Sequence, residues 1–223
     1  ENVVVGAPTG IMDQAASLLG EADSAVFLDC RSLDTEVVPL GLADAGLVVL
    51  VIDTRVSHAH ATGGYGQRRT ECEAGAATLG LDSLRDLGVD DLAAAESRLD
   101  PVVFRRVRHV VTENERVLAT VARLRSSGAG AIGELLDASH ASMRDDFEIS
   151  TPELDLAVET ARSTGAIGAR MTGGGFGGSA IALLPSGQVE AASEAVRRSF
   201  AAAGYAEPGL FVVNAVAGAS LLD

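Results

Sequence analysis

Three groups of residues in this chain have the types and spacing to do chemistry. The first lies in RMTGGGFGGSAIAL, where Gly173, Gly174, Gly175, Gly177 and Gly178 place five glycines in six positions. Gly173-x-Gly175-x-x-Gly178 matches the letters of a dinucleotide-binding loop, whose glycines let backbone approach a pyrophosphate held at a helix N-terminus. The second is Asp13 in TGIMDQAASLLG. An acid in the first turns of a helix complements the helix dipole, and an ionised carboxylate is also able to take a proton from a reacting hydroxyl. The third is His58 and His60, which period-two spacing puts on one strand face. A two-histidine pair without a third ligand reads as solvated rather than metal-bound.

The elements expected around these residues decide between the readings. A Rossmann glycine loop is followed by a helix. Here Gly178 is followed by SAIALL and then Pro185-Ser186-Gly187, a short apolar run closed by a turn signal, so the expectation is a strand. The dinucleotide reading fails on that context. Two readings stay open: a tight hairpin that uses positive φ, or backbone brought too close to a ligand or helix for any Cβ.

Elsewhere, SAVFLDC (24–30) and GLVVLVIDT (46–54) read as strands. TGIMDQAASLLG reads as a helix with Thr9 as cap and Gly20 as stop, and YGQRRTECEAGAATLG as another. Asp100-Pro101 opens the longest helix, with Val103, Val107, Val110, Val117, Val121 and Leu124 as its core stripe. Two more helices follow, the second capped by Thr151 with Pro152 inside its start. IGARM, the glycine loop and SAIALL then give a hairpin, before a helix over 189–203 and a last strand in GLFVVNAVAG. Helices, hairpin, helix and strand make an α+β layer rather than an alternating β-α-β series.

The 223 residues are 47% apolar with 25 Gly, 6 Pro and no Trp, which suits one large globular unit or one and a half ordinary ones. A net charge of -14 argues against nucleic-acid or anionic-membrane partners. The longest apolar run, Gly46 to Ile52, falls far short of the ~20 residues that span a bilayer. Cys30 and Cys72 form no disulfide framework and read as reduced packing residues, and no signal peptide is visible, so a cytoplasmic location is expected. Arg68 and Arg69 among Glu71 and Glu73 read as helix-face ion pairs. No G-x-S-x-G elbow or Cys/His/Asn signature supports a hydrolase.

GAPTGIMDQAASLLG, FLDCRSLDTEVVPL, VIDTRVSHAHATGGYGQRRTECE, RVRHVVTENERV, SHASMRDDFEISTPELDLAVETA and GARMTGGGFGGSAIAL together resemble galactokinases, of the galactokinase, homoserine, mevalonate and phosphomevalonate (GHMP) kinase superfamily. The resemblance runs in order along nearly the whole chain. It implies a GHMP-kinase fold, with residues 1–55 as the remnant of an N-terminal domain and 56–223 as a helix-rich, ferredoxin-like C-terminal α+β domain. It implies transfer of the ATP γ-phosphate to the C1 hydroxyl of α-D-galactose, with ATP and Mg²⁺ as cofactors. Asp13 takes the position of the catalytic base, Gly10 lies with its backbone against the sugar, Tyr65 bonds a galactose oxygen, and the glycine loop lines the active site.

The family's amino-terminal G-E-H-x-D-Y and P-x-G-x-G-L-S-S-S motifs do not occur here, and the chain starts at Glu1 as if in mid-sequence. The expectation is therefore a C-terminal galactokinase portion, inactive alone and prone to dimerise or swap. A non-catalytic galactose-binding regulator and a sister kinase acting on another small alcohol are the alternatives.

Overall fold

Seven helices and six strands account for the regular structure in the computed structural model, which describes residues 10–57 and 61–220, with only the backbone of 61–63. In chain order they are α1 (Met12–Leu19), β1 (Ser24–Leu28), β2 (Thr35–Pro39), β3 (Leu47–Asp53), α2 (Ala61–Leu79), α3 (Leu92–Glu96), α4 (Pro101–Ser127), α5 (Gly133–Asp145), α6 (Pro152–Ser163), β4 (Gly168–Met171), β5 (Ser179–Pro185), α7 (Val189–Ala203) and β6 (Gly209–Val213). Strands β1 and β2 form an antiparallel pair, and the other four form an antiparallel sheet in the order β4-β5-β3-β6.

Strand β3 is apolar almost throughout because both its faces are covered. Leu50 and Ile52 point into a core shared with α6, α7 and alternate residues of β4 and β5, including Leu154, Val158, Met171, Ala182, Val196 and Phe200. Leu47 and Val49 point the other way, toward Val38, Leu124, Ile132 and Leu183. Period-two alternation thus serves two cores from one strand.

Two helix starts follow directly from sequence. The Asp100 side chain accepts from Val102 N–H with Pro101 next, and Thr151 accepts from Leu154 N–H with Pro152 next. At α1 the position before the helix is Ile11, whose side chain accepts nothing, and the expected cap Thr9 lies outside the described residues. The stripe on α4 divides. Its 27 residues run about 40 Å. The N-terminal half, with Val107 and Val111, packs on Ala76 of α2 and on Leu84. The C-terminal half joins the core around Leu47 through Leu124 and Val121. Between them Val117 is exposed and borders an open cavity of about 210 Å³ beneath β1.

The division expected after Arg55 falls between β3 and the strands it pairs with. Strand β3 lies before it, yet its two partners, β5 and β6, lie after it. Seven register pairs to β5 and five to β6 make β3 an interior strand of the four-stranded sheet.

Candidate active site

The glycine loop is a hairpin turn. It joins β4 to β5, which pair antiparallel from Gly168↔Leu183 to Met171↔Ala180. Its conformation demands glycine: Gly173, Gly175, Gly177 and Gly178 all have positive φ, between 81° and 129°. Phe176 shares this region at φ 61°, at a side-chain cost the loop must hold by other contacts.

Those contacts come from both sides. At the β3 end, Thr54 donates from N–H and Oγ1 to the Gly178 carbonyl, at 3.0 and 2.7 Å, and Gly178 N–H donates to Val56 O. On the other side, Phe176 N–H donates to Ile149 O at 2.7 Å. A Cβ on Gly175 would lie 2.5 Å from Ile149 O, and one on Gly177 would lie 2.8 Å from Val56 O. These two glycines are required by protein packing. A Cβ on Gly173 would meet nothing, and one on Gly174 would meet Tyr65 at 3.8 Å, so the open face of the loop is the one beside Tyr65.

Helix α2 carries Tyr65 and comes close because Gly64 has no side chain. A Cβ there would lie 2.5 Å from Phe176 Cζ. One turn on, Arg68 sits over the Phe176 ring at 5.9 Å. Its guanidinium donates to the carbonyls of Phe147 and Glu148, at 2.5 and 3.1 Å, and pairs with Glu71. Arg106 of α4, only 2% exposed, donates to Glu71 at 2.7 Å, to Glu148 at 2.6 Å and to the Asp146 carbonyl at 2.5 Å. Arg108 grips the Asp146 carboxylate. Burial opposes charge on Glu71, yet bonds from Arg106 and Gln67 hold its carboxyl below the usual range. The Glu148 carboxyl is held low chiefly by Arg106.

Both expected helix-face ion pairs form, in different settings. Arg69 and Glu73 make an exposed i,i+4 pair, while Arg68 and Glu71 belong to a buried network. Cys72 nearby is half-buried, and burial with the adjacent Glu71 pushes its thiol up to about 11, so it stays protonated as a packing group. Cys30 does not pack; it is exposed in the turn after β1.

A histidine of α5 supports the hairpin, and a histidine of α4 packs on the segment after α5. His140 Nδ1 accepts Met171 N–H at 3.3 Å, and its Nε2 lies 3.2 Å from Asp155, which Ser150 also bonds. This arrangement requires neutral imidazole at Nδ1, and burial lowers the His140 pKa. His109 stacks on Phe147 with centroids 4.2 Å apart and contacts Ser142 Oγ at 2.9 Å; burial takes its pKa down to about 4. His58 and His60 lie outside the described residues. Among the described residues no group of three His, Cys, Asp or Glu side chains is placed to hold a metal ion.

Asp13 stands apart from this assembly. It lies exposed in the first turn of α1, just after the exposed Gly10, and α1 contains no buried residue. Backbone holds the helix instead. Ala219 N–H donates to Ser17 O, Gly218 N–H to Gly20 O, and Asp23 N–H to Ala215 O. A Cβ on Gly218 would lie 2.7 Å from Ser17 O, so glycine there serves close approach of the tail that leaves β6 to the end of α1. Of the expected site residues, the structure joins Tyr65 to the glycine loop. Among the described residues no hydrogen bond or ion pair joins Asp13 to either.

Comparison with known proteins fits this geometry. Residues 120–202 match the family described as GHMP kinases C terminal. A galactokinase from Streptomyces coelicolor is 56% identical over 224 aligned residues, covering 100% of this chain and 58% of the relative. A galactokinase from Mycobacterium tuberculosis is 46% identical, covering 99% of this chain and 61% of the relative. The crystal structure of Lactococcus lactis galactokinase complexed with galactose superposes with a TM-score of 0.92 at 34% identity, over 99% of this chain and 58% of that one. The chain is similar to galactokinases over its whole length and has the GHMP-kinase fold. It spans somewhat over half the length of these relatives, in the manner of a C-terminal galactokinase portion. Among the described residues no helix is long and apolar enough to cross a membrane.

Sequence reasoning missed Arg106, Glu148 and Phe176 as site-supporting residues. The available signal was Arg106 itself, a charge inside the apolar face of α4 beside Phe104 and Val107.

Proposed function

We propose that this chain supplies part of a galactokinase active site, in a protein that transfers the ATP γ-phosphate to the C1 hydroxyl of α-D-galactose. The observation that carries the reading is the 0.92 superposition, over nearly the whole chain, on a galactokinase complexed with galactose. In this reading Tyr65 donates its hydroxyl to a sugar oxygen, and Gly173 and Gly174 keep the loop surface beside it free of side chains. The backbone at Gly10 lies against the sugar. Asp13, in the first turn of α1, accepts the C1 hydroxyl proton as the phosphoryl group transfers.

ATP and Mg²⁺ enter only through family resemblance. The hairpin leads into β5 and offers no helix N-terminus to phosphates, and the described residues supply no metal cluster. What this chain contributes is placement: a rigid hairpin, an aromatic hydroxyl and a carboxylate on separate supports.

A chimera tests the reading. This chain replaces the aligned 58% of the S. coelicolor galactokinase, and galactose 1-phosphate formation is assayed against a panel of sugars and small alcohols. Turnover with galactose preferred is expected. Turnover of a different alcohol would favour a sister kinase, and a folded chimera that binds galactose without turnover would favour a regulator.

A further inference from the structure

Four consecutive backbone carbonyls, from Asp146 to Ile149, are each capped by a donor from outside their own segment. Asp146 O receives Arg106, Phe147 O and Glu148 O receive Arg68, and Ile149 O receives the Phe176 amide of the glycine loop. Buried carbonyls need partners, but guanidinium groups on three of four in sequence is not what a turn requires of itself. Glu148 has φ 53°, so the segment is held in a conformation an L residue rarely takes. The Glu148 carboxylate folds back to Arg106 and Arg105, closing the network on itself.

Arg68 reaches the loop by a second route. Arg68 lies over the Phe176 ring, and the ring fills the space that Gly64 leaves one residue before Tyr65. We propose that Arg68, braced by Arg106 through Glu71 and Glu148, is a positioning residue that fixes the glycine loop against Tyr65. It acts through two contacts, the carbonyls that end in the Ile149–Phe176 bond and the Phe176 ring. An arginine suits this role because its planar fork serves two carbonyls and a ring at once, which a lysine ammonium does not. The proposal rests on the galactose-site reading for its consequence, but not for its geometry.

The full chain carries the test. Amide exchange is followed by NMR in the wild type, Arg68→Met, Arg68→Lys and Phe176→Leu. Local opening of the clamp accelerates exchange of the Phe176 amide about tenfold or more in Arg68→Met, and less in Arg68→Lys, with the β3–β5 ladder unchanged. Phe176→Leu, which keeps the carbonyl bonds, gives a smaller local increase and covers the case in which Arg68→Met does not fold. Uniform acceleration across the chain, or no change at residue 176, would overturn the proposal. A galactose titration of the same proteins, read at the Tyr65 ring signals, then tests the consequence. Weaker galactose binding in Arg68→Met than in wild type supports the clamp as a site element, and equal binding by both overturns it. Should the wild-type chain bind no galactose, the galactose-site reading of the isolated chain fails while the exchange result still decides the clamp.

Discussion

The two supports of the candidate site are built in opposite ways. The hairpin extends from strands β4 and β5, Tyr65 sits on α2 beside it, and an ionic network centred on Arg68 and Arg106 ties both to α4 and the 146–149 segment. Asp13 sits on an eight-residue helix that buries none of its residues, and described backbone hydrogen bonds tie that helix to the tail after β6. Met12 and Leu18 of α1 are over 60% exposed. The contrast teaches where substitutions act. On the hairpin side, side chains hold the geometry, so replacing them costs stability. On the α1 side, a side chain is free to be chosen for chemistry.

A large expected difference sets Arg106→Met against Asp13→Asn. Losing Arg106 takes one of its partners from Glu71, which keeps Arg68 and Gln67, and leaves the buried Asp146 carbonyl without the Arg106 donor, at about 1–3 kcal/mol. Asp13→Asn should stay within about 0.5 kcal/mol, as exposed substitutions do. Urea unfolding of both variants checks the pair, and similar losses would erase the contrast.

Glycines sharpen it next. Gly175→Ala places a methyl 2.5 Å from Ile149 O at φ 81°, for about 3 kcal/mol from crowding and a left-handed backbone together. Gly10→Ala meets nothing within 4 Å and should leave the midpoint in place. Thermal melts of the two distinguish them.

The pH dependence comes from the buried side. His109 titrates near 4 when folded and near 6.5 when unfolded, so the unfolded chain holds more protons between those values. Stability is therefore full above about pH 6.5 and is lost as pH falls toward 4, by roughly 2–3 kcal/mol. Glu113, Asp146, Arg116 and Arg170 surround this imidazole, and the lowered carboxyls of Glu71, Glu113 and Glu148 add loss in the same direction on further acidification. Denaturation midpoints across pH 4–7, in wild type and His109→Gln, measure the share that belongs to His109.

Much of this was legible because it is local. The Asp100-Pro101 and Thr151-Pro152 helix starts involve residues two or three apart, and the strand after Gly178 was enough to turn a dinucleotide pattern into a hairpin. The rest depends on partners distant in sequence. Arg106 and Glu148 are 42 residues apart, and nothing in RVRHVV says that a carboxylate will meet one of its arginines. The place of β3 inside the sheet depends on strands more than a hundred residues later, which no local pattern in GLVVLVIDT announces. Strand β2 was not expected either. Thr35–Pro39 is five residues ending in proline and gains its order by pairing with β1. Asp13 presents the reverse case: it was found through resemblance, and its surroundings in this chain give it no structural duty.

Tyr65→Phe should be the mildest change to the fold. It removes one hydroxyl from a side chain that is 39% exposed, so stability stays level while galactose binding weakens by about 1 kcal/mol. Calorimetric galactose titration alongside a melt reads both.

The central claim is that this chain holds a rigid sugar-binding hairpin on one support and a proton acceptor on the other. Turnover of the S. coelicolor chimera with and without Asp13→Asn tests it most directly. The account predicts a fall in kcat of roughly 10²–10⁴-fold with the melting temperature unchanged. A kcat near the unsubstituted value in a fully folded variant would contradict it.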